Sequence, residues 1–116
     1  MGNQPFEASL RIENGQVVID LQGEINAFAD HQINAAYAEA EGMDPQVVVL
    51  NFGAVSYINS TGIALIVGLL SQARKSHRRL VVYGLSDHYI EIFNITRLAD
   101  FMTIYPDAAS ALAASV

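Results

Sequence analysis

The chain has 116 residues, 52% of them hydrophobic, which suits one packed domain over 1–116 and is too short for a two-domain enzyme. Six basic against twelve acidic residues give a net charge of -6, which repels nucleic-acid phosphates and anionic lipid surfaces and argues against direct binding to either. There is no cysteine, which excludes disulfides, thiol nucleophiles and thiolate metal sites.

The elements follow from the N-terminus. Residues Glu7 to Glu13 alternate, with Ala8, Leu10 and Ile12 on one face; Asn14-Gly15 is a hairpin turn, and Gln16 to Gln22 returns as a second strand. After the loop Gly23-Glu24-Ile25-Asn26, apolar residues Phe28, Ile33, Ala36, Tyr37 and Ala40 recur at helical spacing, and Gly42 suits the helix end. Pro45 precedes a continuous apolar strand, Gln46 to Asn51, of the kind buried on both faces. A short loop then leads to a helix opening at Ser60 and running to about Ser76.

Arg79 to Gly84 forms another strand, Ser86-Asp87 opens a helix carrying Ile90, Phe93 and Ile95, and Phe101 to Tyr105 is a short strand. Pro106 opens an Ala-rich terminal helix. The order β-β-α-β-α-β-α-β-α predicts an α/β fold: a mixed sheet with an N-terminal hairpin, about four helices and one face more open. The longest apolar stretch, Gly62 to Leu70, is too short to span a bilayer, and the N-terminus lacks the order of a signal peptide, so the expected address is the cytoplasm.

Chemistry concentrates at Ile58-Asn59-Ser60-Thr61-Gly62, where a buried strand gives way to a helix start. The first helical turn has backbone N–H groups without intrahelical partners and the positive end of the dipole, so a phosphate on Ser60 is tolerated there. Ser60 or Thr61 as a plain helix cap satisfies the same local pattern. The Ser60 loop and the Gly23 to Asn26 loop should both emerge at the carboxyl ends of strands, as neighbours.

Other chemistry finds less support. A nucleophile elbow needs Gly-x-Ser-x-Gly, but Ile58 occupies the place of its first glycine. His31, His77 and His88 have no specified partners, no acidic or histidine set has metal-ligand spacing, and no phosphate-loop or dinucleotide fingerprint occurs. No metal, cofactor or catalytic residue is therefore expected. The basic run Arg74 to Arg79 complements the dipole at a helix end or meets an acidic partner.

Taken together, Gly23-Glu24-Ile25-Asn26, the strand and loop Val47 to Tyr57, Ile58-Asn59-Ser60-Thr61-Gly62-Ile63 and Leu80-Val81-Val82-Tyr83-Gly84-Leu85 resemble the anti-sigma factor antagonist (STAS domain) family across nearly the whole chain. The resemblance implies a bacterial phosphoprotein that regulates transcription by binding a serine-kinase-type anti-sigma factor and so freeing a sigma factor. It further implies inactivation by phosphorylation and restoration by a cognate phosphatase. Carried over, the acceptor is Ser60, with Thr61 second, and Asn26, Asn59, Thr61 and Gly62 flank the partner-binding site.

Asn59 stands where the family usually has an aspartate before the acceptor, and Asn26 where one often ends the first loop. Two missing charges ease a phosphate by roughly a kcal/mol each at a hydrated surface, while removing polar contacts for a kinase. Asn26 as a turn or cap residue, and Asn59 as a loop hydrogen-bonder, are equally consistent with the residues. The expected function is a non-enzymatic, phosphorylation-switched binding module; a constitutive STAS scaffold, or a partner subunit of a signalling assembly or transporter ATPase, is the alternative. A homodimer is left open.

Overall fold

The computed structural model describes residues 5–114, so the outermost ends of the expected 1–116 domain lie outside the described residues. Nine elements follow in the predicted order: β1 Glu7–Glu13, β2 Gln16–Ile25, α1 Asp30–Glu41, β3 Val47–Ile58, α2 Ser60–Lys75, β4 Arg79–Tyr83, α3 Asp87–Ile95, β5 Thr103–Tyr105 and α4 Ala108–Ala114. They build one α/β domain on a five-stranded mixed sheet of order β1-β2-β3-β4-β5. β1 and β2 form the antiparallel hairpin, with Asn14 and Gly15 both at positive φ, and every later pairing is parallel.

Strand alternation divides the core. Val17, Ile19, Leu21, Val48, Leu50, Leu80 and Val82 face the larger layer, with Ile33 and Tyr37 of α1, Ile66 and Leu69 of α2, and Phe93 of α3. Val18, Val49, Val81 and Tyr83 point the other way, under Ala111 and Leu112 of α4. β3 is apolar on both faces over Val47 to Leu50 because both faces are covered there.

Beyond the reach of α4, the second face turns polar. Arg11 Nε donates to Asp20 Oδ2 at 2.7 Å, and the same guanidinium donates to the Tyr83 hydroxyl at 3.0 Å. Asn51 Nδ2 donates to Asp20 Oδ1 at 2.8 Å, so one carboxylate ties side chains from β1, β2 and β3. The expected open face is therefore hydrogen-bonded rather than bare. At the opposite end of the strands, Arg78 lies 3.5 Å from Glu41 and 3.2 Å from Asp44 and donates to the Pro45 carbonyl. Part of the basic run thus ties the end of α1 to the end of α2, while Arg74 stacks over the Phe101 ring at 4.6 Å.

Several boundaries differ from expectation. β4 ends at Tyr83 because Gly84 turns to positive φ, β5 starts at Thr103 because Phe101 closes the 3-10 turn Leu98–Asp100, and α4 starts at Ala108, with Asp107 rather than Pro106 at its opening, accepting from the Ser110 N–H at 2.9 Å. β2 continues through Ile25, so three of the four residues expected in its loop are strand. β3 continues to Ile58, and the loop expected before Ser60 is strand as well. The 3-10 turn Ala27–Ala29 precedes α1, and Phe28, expected among the apolar positions of that helix, is 92% exposed. Ile95 is likewise 71% exposed at the end of α3, and Ile12 of β1 also faces solvent.

Burial raises the Asp20 carboxyl, but the hydrogen bonds from Arg11 and Asn51 outweigh it and hold the group below its ordinary value of 3.8. Its folded-state value is depressed, so its contribution to stability is full above 3.8 and is lost as pH falls through the lowered value. Asp20→Asn is expected to lower stability at pH 7 and to weaken the dependence on pH below 4. Urea unfolding from pH 7 to pH 2 reads both, and parallel pH curves for variant and wild type would contradict the role.

Candidate functional site

Asn59 is the only residue between β3 and α2, and it holds the turn together. Its backbone is extended, with φ -93 and ψ -177, and its side-chain oxygen accepts from the Gly62 N–H at 2.8 Å while its carbonyl accepts from Ile63 N–H at 2.9 Å. Asn59 is therefore the helix N-cap. Ser60, expected at the helix start, is the first helical residue, leaving its hydroxyl free of the capping role and exposed to solvent.

The turn is anchored to β2. Ile25 and Ile58 are register partners at the tips of their strands, and the Asn59 N–H donates to the Ile25 carbonyl at 3.2 Å. The first turn of α2 presses on that same carbonyl: a Cβ built on Gly62 would lie 2.0 Å from the Ile25 oxygen and 2.8 Å from its carbon. Only glycine fits, because both atoms it would meet are backbone and cannot swing aside.

Asn26 terminates β2 and caps the following turn, its side-chain oxygen accepting from Phe28 N–H at 2.9 Å. Its amide nitrogen lies 3.4 Å from the Glu24 carboxylate. Both asparagines therefore act as caps, a task aspartate performs about equally well, so their neutrality alters the charge of the site and not its backbone. The Gly23 to Asn26 and Ile58 to Gly62 segments are neighbours at the carboxyl ends of β2 and β3, as the sequence predicts.

Around Ser60 the surface is exposed. Ser60, Ala64, Val67 and Ser71 recur at helical spacing along the outer stripe of α2, with Thr61 beside them. Phe28 and Tyr57 also stand exposed, on the turn after β2 and on the last stretch of β3. Sequence reading missed Phe28 as a surface residue by grouping it with Ile33, Ala36, Tyr37 and Ala40, although it stands five positions before Ile33, a spacing that leaves their shared face. It also missed Tyr89, whose hydroxyl accepts from the Ile58 N–H at 2.9 Å; no local pattern marks a contact across 31 residues. His31, His77 and His88 are all exposed and lie on three different segments.

Chemically, the site offers an accessible hydroxyl at the positive end of a sixteen-residue helix, with two neutral asparagine caps and the Glu24 carboxylate against Asn26. No helix among the described residues is long and apolar enough to cross a membrane.

Comparisons with known proteins identify the family and the fold. A family model described as the STAS domain matches residues 7–111. The anti-sigma-B factor antagonist of Listeria monocytogenes is 30% identical over 92 residues, which cover 79% of this chain and 81% of that one. The crystal structure of an anti-sigma factor antagonist from Mycobacterium paratuberculosis superposes with a TM-score of 0.82 at 19% identity, over 95% of this chain and 93% of the other. The Bacillus cell fate determinant SpoIIAA, solved in its phosphorylated form, gives a TM-score of 0.70 at 22% identity, over 97% of this chain and all of that one.

Two outcomes are expected. Gly62→Ala destabilises by about 3 kcal/mol, the upper part of the usual range for overpacking, because backbone opposes the new methyl group; a melting temperature within 2 °C of wild type, to an order of magnitude, would contradict the contact. Asn59→Ala costs about 1 kcal/mol and Asn59→Asp close to nothing, since aspartate caps as well as asparagine. Chemical denaturation of the two variants side by side makes the comparison, and equal losses would show that capping is not the role of Asn59.

Proposed function

The chain belongs to the STAS domain family, and from that premise we propose that it is a bacterial, cytoplasmic anti-sigma factor antagonist switched by phosphorylation of Ser60. It works as a binding module and not as an enzyme. In the unmodified state, the exposed stripe of α2 with Ser60, Thr61, Phe28 and Tyr57 docks on a serine-kinase-type anti-sigma factor, and the sigma factor held there is released.

The observation that carries this reading is the position of Ser60: exposed, first in its helix, and relieved of capping by Asn59. The partner supplies ATP. Ser60 Oγ attacks the γ-phosphorus, its proton passes to a base of the kinase, and the bond to the leaving ADP breaks. The phosphoserine gains about two negative charges in the middle of the docking surface, which opposes rebinding through desolvation and repulsion of acidic groups. Hydrolysis by a phosphatase restores the hydroxyl. Inside the domain, the helix N-terminus accommodates the dianion, so the modification changes the surface without unfolding the turn.

A constitutive scaffold is the second reading, favoured by the neutral Asn26 and Asn59 standing where the family usually carries aspartates. Ser60→Ala and Ser60→Asp separate the two. Calorimetric titration against the purified anti-sigma kinase of its host should show wild-type affinity for Ser60→Ala and at least tenfold weaker binding for Ser60→Asp. Equal affinities would remove the switch and leave the scaffold.

A further inference from the structure

The last seven residues of β3 run past the end of β4, whose pairing with β3 stops at Asn51 opposite Tyr83. Along this overhang, β3 keeps a strand neighbour only on its β2 side, and that pairing is interrupted by two register shifts. On the other side, α3 reaches the overhang through side chains, Phe93 meeting Phe52 edge-on. Its third residue, Tyr89, spans to the tip of the overhang: the hydroxyl accepts from the Ile58 N–H at 2.9 Å and lies 3.4 Å from the Ile58 carbonyl oxygen. Below this contact is a cleft of about 140 Å³ lined by Phe52, Gly53, Leu85 and Ser86, so the phenol bridges a gap that side-chain packing leaves unfilled.

Ile58 is the residue from which the acceptor turn hangs. Its neighbour Asn59 caps α2 by accepting from the Gly62 N–H, so a displacement of Ile58 is passed through one peptide bond to the cap of α2. At its other end, Tyr89 is fixed by the start of α3, where Ser86 caps the helix by accepting from the Tyr89 N–H at 3.4 Å and the ring meets His88 edge-on at 4.8 Å. Ser86, Asp87 and His88 are exposed.

We propose that Tyr89 is a positioning residue for Ser60: its hydroxyl latches the tip of β3 to α3 and sets the geometry in which the acceptor is presented. The inference rests on Ser60 being the acceptor. Phosphoryl transfer needs in-line approach of one hydroxyl, and a turn that loosens by an ångström loses rate and lets the adjacent Thr61 hydroxyl compete.

Tyr89→Phe deletes both contacts and keeps the ring, the packing and the helix. Two measurements on it, against wild type, decide the matter. Amide hydrogen exchange is expected to accelerate at least tenfold at Ile58 while Ile66 and Leu69 inside α2 keep wild-type rates. In a host lysate with ATP, phosphate should appear on Ser60 at least fivefold more slowly, with a larger share on Thr61, which a loss of general stability alone does not produce. Wild-type exchange at Ile58 overturns the latch, and wild-type rate and site preference overturn its role in presenting Ser60. If wild type itself takes up no phosphate on Ser60, the acceptor reading fails and the positioning role falls with it, whereas the exchange result still decides whether the latch exists.

Discussion

The first turn of α2 lies against the carbonyl of Ile25 with no room for a side chain between them. This close approach of helix to strand end governs the site. It demands glycine at position 62, brings the tips of β2 and β3 into register at Ile25 and Ile58, and leaves one residue, Asn59, to turn the chain and cap the helix. Ser60 then has a single place to be. Its hydroxyl is exposed because the residue before it does the capping and the residue two positions later is clamped to the sheet.

The rest of the fold holds this junction in place. β3 is buried on both faces in its first half, and the parallel pairings with β2 and β4 fix its direction. On the open face, Asp20 gathers Arg11 and Asn51, so the polar part of the sheet is cross-linked by hydrogen bonds rather than by apolar cover. At the far end of α1, burial and the Glu41 carboxylate push the Tyr37 phenol up to about 12, against the opposing charge of Arg78. The exposed Ser60 hydroxyl stands at one end of this packed domain. In the switch we propose, phosphorylation acts on the surface presented to a partner, since a helix dipole and cap accommodate a dianion without rearrangement.

Much of this was legible in the residues. The alternation of Glu7 to Glu13, the Asn14-Gly15 turn and the continuous apolar run Val47 to Leu50 each specify one element, and all nine elements appear in the expected order. The neighbouring of the Asn26 and Ser60 segments also follows from parallel topology. What the sequence hid was tertiary. The strands continue through Gly23 to Ile25 and Phe52 to Ile58 because the two stretches pair with each other, and the small and polar residues in them read locally as loop. Phe28 is an apolar residue just ahead of α1, yet it sits in the 3-10 turn that Asn26 caps and is exposed there. The Tyr89 contact with Ile58 and the Gly62 contact with Ile25 join residues far apart in the chain, and neither has a local signature.

The account stands or falls on Ser60 as the residue that receives phosphate. Site-mapping mass spectrometry of the wild-type protein, after incubation with ATP and a lysate of its host in which a control kinase substrate is modified, tests this directly. Phosphate found on Ser60, and lost when residue 60 is alanine, is the result the structure predicts. An unmodified Ser60 in that same active lysate would contradict the switch, and the neutral pair Asn26 and Asn59 would then belong to a scaffold.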